Sequence, residues 1–327
     1  MRDELARSMD KLRLAELARP YFIAYHVHDV HGLGMSATCG SLLSSHESRG
    51  RTLTVEVRVG DYAFDNTNFL SLPSFSMGSV HPWFSVSQLP FDDNYTEIRR
   101  QIWLATDAAY KQALESLAGK RAALENKTRT ETLPDFSKED RTQTMDVEPA
   151  AEIKTSDAEA LVRDLSKPLA GSELYSSTVG LTVRNAQTVY LNSEGTSYEK
   201  ARPVITLTAN ASTQAADGLR LGDSVSFYAS SFDSLPPRKE LAKQIGEMAA
   251  RLETLRNAPL LDRYNGPVLF EGRAAAEIFS EEFALRWWDS GRPSPATRKW
   301  KSLSNASLSA EGLRLRTRSG LASCRIS

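Results

Sequence analysis

The chain has 327 residues, 41% of them hydrophobic and 25% charged, and a mean hydropathy of -0.38. That balance belongs to a folded, soluble protein with length for more than one core, and it excludes a small stapled module or a disordered chain. No apolar run reaches the roughly 18–20 residues of a membrane-spanning helix, and the start Met1-Arg2-Asp3-Glu4 lacks the basic and then apolar form of a secretory signal, so a cytoplasmic protein with no membrane partner is expected.

Cys39 and Cys324 lie far apart and match no C-x-x-C pattern, which leaves neither a disulfide framework nor a thiolate zinc site. The net charge of -1 hides an asymmetry. From Trp287 onward eight basic residues face only Asp289 and Glu311, so the preceding body is acidic. Phosphate neutralisation needs clustered Lys and Arg on a folded surface, and nucleic acid is therefore not an expected partner.

The pattern reads as an α+β protein. Residues 3–19, with Leu5, Met9, Leu12, Leu14 and Leu17, predict an amphipathic helix stopped by Pro20. The period then becomes two. Residues 21–28 and 52–59 predict strands of an antiparallel sheet, with polar turn residues at 44–50 between them. Residues 93–127 predict a long helix whose stripe of Ile98, Ile102, Ala105, Ala109, Ala113 and Leu117 covers that sheet, closing an N-terminal α+β domain over 1–128.

The composition of 129–155 shifts to Lys, Thr, Asp, Glu and Pro, and predicts an exposed linker. Over 156–262 a β-rich meander with flanking helices is expected. Ser156 and Glu159 have the spacing of a capping box for a helix over 157–166, strands are predicted at 179–184, 187–192, 203–209 and 223–229, and a helix at 238–256 follows Pro236-Pro237. Residues 263–286 open a further domain with the strand Gly266–Phe270 and a helix from Arg273. The Ser/Arg-rich tail 287–327 has no apolar periodicity and reads as the product of a shifted reading frame near Trp287, or else as a disordered basic tail.

All five histidines, His26, His28, His31, His46 and His81, fall in the first quarter of the chain. On a strand His26 and His28 share a face, and with His31 and a carboxylate such as Asp29 or Asp65 they are candidate metal ligands. Three histidines within six residues and no second spaced cluster also fit a solvent-facing strand end. The run Asp61-x-x-x-Asp65-Asn66 lacks the alternation of a calcium loop and fits a turn shaped by side-chain bonds to backbone. No P-loop, G-x-G-x-x-G, nucleophile elbow or H-E-x-x-H is present.

Two stretches carry a resemblance: Arg58-Val59-Gly60-Asp61-Tyr62-Ala63-Phe64-Asp65-Asn66-Thr67 and, more specifically, Tyr264-Asn265-Gly266-Pro267-Val268-Leu269-Phe270-Glu271-Gly272-Arg273-Ala274-Ala275-Ala276-Glu277. Over about residues 1–286 the chain resembles the TldD/PmbA family of zinc-dependent proteases and their inactivated homologues, with much of the usual second half missing. Catalytic members carry H-E-x-x-x-H on the helix after a Gly-rich strand, two imidazoles holding zinc while the Glu serves as base. Here those positions read Phe270, Glu271 and Ala275.

The resemblance therefore implies the non-catalytic, PmbA-like branch. It implies no cofactor in this chain, against zinc in catalytic members, and Glu271 as an ordinary helix-start acid. The partners it implies are a peptide substrate and a TldD-like catalytic subunit, or a second copy by self-association. Two other readings stay open: an active metal-dependent peptidase using His26, His28 and His31, and a truncated, inactive fragment.

Overall fold

The computed structural model describes residues 1–14, 17–68, 84–125, 133–170, 173–259, 268–270, 272–281 and 324–326. In chain order the elements are α1 (Arg2–Lys11), β1 (Pro20–Thr38), β2 (Ser41–Val59), β3 (Phe84–Gln88), α2 (Tyr95–Leu124), β4 (Gln143–Val147), α3 (Thr155–Ser166), β5 (Ser176–Asn192), β6 (Ser197–Gln214), β7 (Arg220–Ala229), α4 (Arg238–Arg256), β8 (Val268–Phe270), α5 (Gly272–Phe279) and β9 (Cys324–Ile326). The fold is α+β, as the sequence pattern predicts, and its main sheet is antiparallel except where β4 runs parallel to β6.

Seven strands form one sheet in the order β3-β2-β1-β5-β6-β4, and β7 pairs with β6 beyond the end of β4. The strand predicted at 21–28 runs on to Thr38, because Gly32, Gly34 and the polar residues around them still complete backbone ladders on both sides. The turn falls at Cys39–Gly40, both at positive φ (49° and 83°), the left-handed pair that a two-residue hairpin requires. Residues 44–50, expected as the turn, are instead part of β2, paired with His46 opposite Gly34. A Cβ at Gly34 would lie 2.6 Å from the His46 ring, so the glycine is what lets that ring lie flat across the sheet.

The expected strands 179–184 and 187–192 are one strand, β5, which pairs with β1 over Val179–Asn192 and with β6 over Ser176–Leu191. The meander β5-β6-β7 forms as predicted, with Gly195 and Gly218 at positive φ in its two turns. The capping box at Ser156 does not form. Helix α3 starts at Thr155, so Ser156 lies inside the helix, and its hydroxyl bonds Asp157. Within the expected linker 129–155 the sheet takes an edge strand, β4, whose side chains are almost all exposed and so leave no apolar signature.

Side chains of Ile23, Tyr25, Leu33, Met35 and Ala37 alternate onto one face of β1 and are buried. Two separate cores sit on that face. In the first, α1 and α2 cover the start of β1 and the end of β2 through Leu5, Ile102, Tyr110 and Leu117. In the second, α3 and α4 cover β5 to β7 through Leu161, Leu165, Leu241, Ile245 and Met248. The sheet itself is unbroken where the two meet.

After β2 the chain leaves the sheet at Gly60 and is clipped to α2 by a buried polar network. Lys120, 5% exposed, spends its three ammonium donors on Asp65 O (2.9 Å), Thr67 O (2.6 Å) and Asp135 Oδ2 (2.6 Å). Asp65 Oδ2 accepts from Tyr21 Oη and Arg58 Nη1, and Oδ1 from Thr67 N and Oγ1. Burial and then the bond to Asp65 hold the Tyr21 phenol far above its ordinary range. Asp61 Oδ1 caps the turn by accepting from Ala63 N and Phe64 N, the backbone-shaping role its sequence allows.

Replacing Lys120 by Met takes the ammonium away from the Asp135 carboxylate, which still accepts from Asp65 N, and from the Asp65 and Thr67 carbonyls. K120M is expected to lower stability by about 3–5 kcal/mol, as for a buried pair broken on one side. K120M/D135N should recover part of that loss. Urea unfolding of the three proteins checks both statements.

Candidate functional site

Strand β1 places the three candidate histidines on two different faces. His26 and His28, an even number of residues apart, project from the face opposite the cores; His31, an odd number away, projects on the helix-covered face. The structure therefore brings together two of the three. His28 is fully engaged: Arg184 Nη2 donates to Nε2 at 3.1 Å, so Nδ1 carries the proton and donates to Thr188 Oγ1 at 3.0 Å. A guanidinium against the ring nitrogen opposes a metal cation at that position. His26 packs edge-on to Tyr190, which is itself stacked on Tyr198.

Among the described residues no group of three or more His, Cys, Asp or Glu side chains is arranged to hold a metal ion. Asp29 lies on the face of His31, where it takes Arg51 Nε and Nη2, each at 2.5 Å. Asp65 belongs to the network described above. His46 is exposed over Gly34, and His81 lies outside the described residues, as does Glu271. Phe270 ends β8 and Ala275 sits in the first turns of α5, both half-buried, so the strand-to-helix passage expected from the sequence is present around them.

Among the described residues a concavity lies where the two helical layers part. There, among the described residues, no helix covers the rows of Asp29 and His31, Arg49, and Asn185 and Gln187, leaving a cleft of about 600 Å³ walled by Val147–Ala150 and by Ala201–Pro203. Asn185 ties the wall down, its Oδ1 accepting from Ala151 N (2.8 Å) and its Nδ2 donating to Ala151 O (3.0 Å). Gln187 Nε2 donates to Glu199 (2.7 Å), and Arg202 Nη2 to Asp146 (2.6 Å). Arg51 Nη1 reaches Asp93 (2.7 Å) and Pro90 O (3.2 Å), fixing the start of α2 beside the cleft.

Sequence reasoning missed this cleft. Alternation puts Asp29 and His31 on one face of a strand, but nothing local reveals that Gln187 and Asn185 come into register with them 158 and 154 residues later.

His26 carries a pH signature. Burial, and then the neighbouring His28, lower its pKa below the ordinary imidazole value of 6.5. The folded state thus binds fewer protons at His26 than the unfolded state, so stability is complete above about pH 6.5 and declines as pH falls toward the folded pKa. The urea midpoint is expected to drop between about pH 7.5 and 5.5, and H26Q should flatten part of that slope.

The geometry can be set beside known proteins. Residues 143–253 match the family model of the PmbA/TldA metallopeptidase central domain. No curated protein matches the chain at a significant level. Among solved structures, a protein assigned as a modulator of DNA gyrase from Bacteroides thetaiotaomicron is similar in fold at a TM-score of 0.54 and 9% identity, over 86% of this chain and 56% of that one. A second such protein, from Thermotoga maritima, gives 0.49 and 12% over 80% and 50%. TldE from Thermococcus kodakarensis gives 0.48 and 11% over 80% and 50%.

The chain spans about half the length of these structures. Among the described residues no helix is long and apolar enough to cross a membrane. The matched segment takes in β4, α3, the whole β5-β6-β7 meander and most of α4, the unit that walls and floors the cleft. Over residues 143–253 the chain is similar to the central domain of the PmbA/TldA metallopeptidases.

Proposed function

We propose that this chain is a binding member of its family: it holds an extended peptide, or docks on a zinc-bearing TldD-like subunit or a second copy of itself, and does not cut peptide bonds with a metal of its own. The observation that carries this reading is the pair Phe270 and Ala275 at the strand-to-helix passage, where catalytic members would present two imidazoles. Zinc takes nitrogen, sulfur or oxygen donors at about 2.0–2.3 Å, and neither a phenyl ring nor a methyl group has a lone pair to give. The residues at that passage do not fit the metal.

Without a metal-bound water, Glu271 has no acid of pKa near 7 to deprotonate, and it is proposed here as an ordinary acid at a helix start. The histidines of β1 offer no replacement set, since His31 is turned to the other face and His28 is held by Arg184 and Thr188.

Metal analysis after dialysis against zinc is expected to find far less than one zinc per chain, with no change in H28A. One equivalent of zinc that H28A abolishes would overturn the reading in favour of a separate metallopeptidase site. Mass spectrometry of co-purified material should find trapped peptides, or a family subunit that does carry H-E-x-x-x-H.

A further inference from the structure

Among the described residues, the cleft between the helical layers contains one cation with no hydrogen-bond or ion-pair partner. Arg51, Arg202, Asn185 and Gln187 all spend donors on protein acceptors. Arg49 makes no hydrogen bond or ion pair among the described residues; its guanidinium is steadied only by the Phe91 ring, 5.5 Å from the centroid. His31 stands directly opposite Arg49 in the β1–β2 ladder and is equally without a partner among them. Directly opposed side chains have Cβ atoms about 4.5–5.5 Å apart, so both can reach one small group. An unpaired Arg beside a His is a like-signed neighbourhood whenever the imidazole is protonated, and an anion relieves it.

The surroundings select the anion. Asp29, Asp93, Asp146, Glu148 and Glu199 lie in or beside the cleft, a negative background that disfavours a doubly charged phosphate and suits a single carboxylate taken bidentately by a guanidinium. Along the wall Val147, Pro149 and Pro203 offer small apolar surface for the body of a ligand. The volume, about 600 Å³, falls within the range of small-ligand pockets and admits only a few residues.

We propose that this cleft binds the carboxylate of an extended peptide, with Arg49 as the bidentate anchor and His31 as the second donor. The assignment rests on the peptide-binding reading above. It adds a site whose two donors, His31 and Arg49, both come from the β1–β2 ladder, and a preference for acidic or free-ended peptides.

Fluorescence anisotropy with the full chain tests it, using labelled tetra-alanine with a free C-terminal carboxylate, the same peptide as its amide, and an amidated version with aspartate at the third position. The free acid is expected to bind at least about tenfold more tightly than the amide, the scale of one charge-assisted bidentate pair. R49Q should abolish that preference and H31Q reduce it. Binding of the aspartate peptide as tightly as the free acid would show that a side-chain carboxylate suffices; binding as weakly as the plain amide would assign the site to chain ends. Equal binding of acid and amide, or an intact preference in R49Q, overturns the proposal.

Acetate titrated against the His31 ring protons by NMR separates the two ideas. If the peptides fail but acetate shifts His31 in the wild type and not in R49Q, the carboxylate site stands and peptide binding falls. If peptides bind with no dependence on Arg49, the peptide reading stands and the site falls. If neither peptide nor acetate binds, both fall.

Discussion

The structure depends on β1 being paired along nearly its whole length on both sides. A 19-residue strand has one face for its odd positions and another for its even ones, and a ladder on each edge forbids it to roll. Every later feature inherits that alternation. Ile23 and Tyr25 must fall on the face of Leu33 and Met35, so both helical layers pack on the same side. His26 and His28 must face away from His31, and so the three histidines cannot converge on one ion. Slipping either ladder by a single residue would exchange buried Tyr25 for a histidine, a change that two cores oppose at once.

Much of this was legible in the sequence, and the failures share one cause. The helix at 238–256 is found at its predicted bounds because Leu241, Ile245, Met248 and Leu252 are all buried on one stripe. The two meander turns hold Gly195 and Gly218 where a positive φ is needed, a residue choice that glycine makes visible without coordinates. What stayed hidden is held by backbone and not by side-chain burial. The middle of β1, the start of β2 and all of β4 carry glycine, serine and charge, so no hydrophobic period announces them. The turn at Cys39–Gly40 was equally silent, since cysteine is not a residue that advertises the left-handed region.

The candidate site divides in the same way. What Phe270 and Ala275 cannot do follows from atom types and needs no coordinates. What His28 does instead requires them: its partners Thr188 and Arg184 come from a strand 160 and 156 positions later in the chain. A cluster of histidines in sequence is evidence for a metal only when the fold points their lone pairs at one volume, and a β-strand does so for alternate residues alone. His26 and His28 are better understood as part of a polar sheet face, with Thr188, Arg184, Tyr190 and Tyr198 as their neighbours.

The cleft follows from the same geometry. Two helical layers of limited width on one face of a long sheet leave a strip between them, and the side chains of that strip cannot be apolar without exposing a hydrophobic groove. A strip of charge solves the solubility problem only if the charges are satisfied, and most are: Asp29 pairs with Arg51, Arg202 pairs with Asp146, and Glu199 accepts a hydrogen bond from the Gln187 amide. Arg49 departs from that pattern, standing beside His31 where a carboxylate on either strand would have satisfied it. Since an exposed ion pair contributes at most about 1 kcal/mol, its omission costs the fold little, and Arg49, unpaired among the described residues, keeps its donors for a ligand.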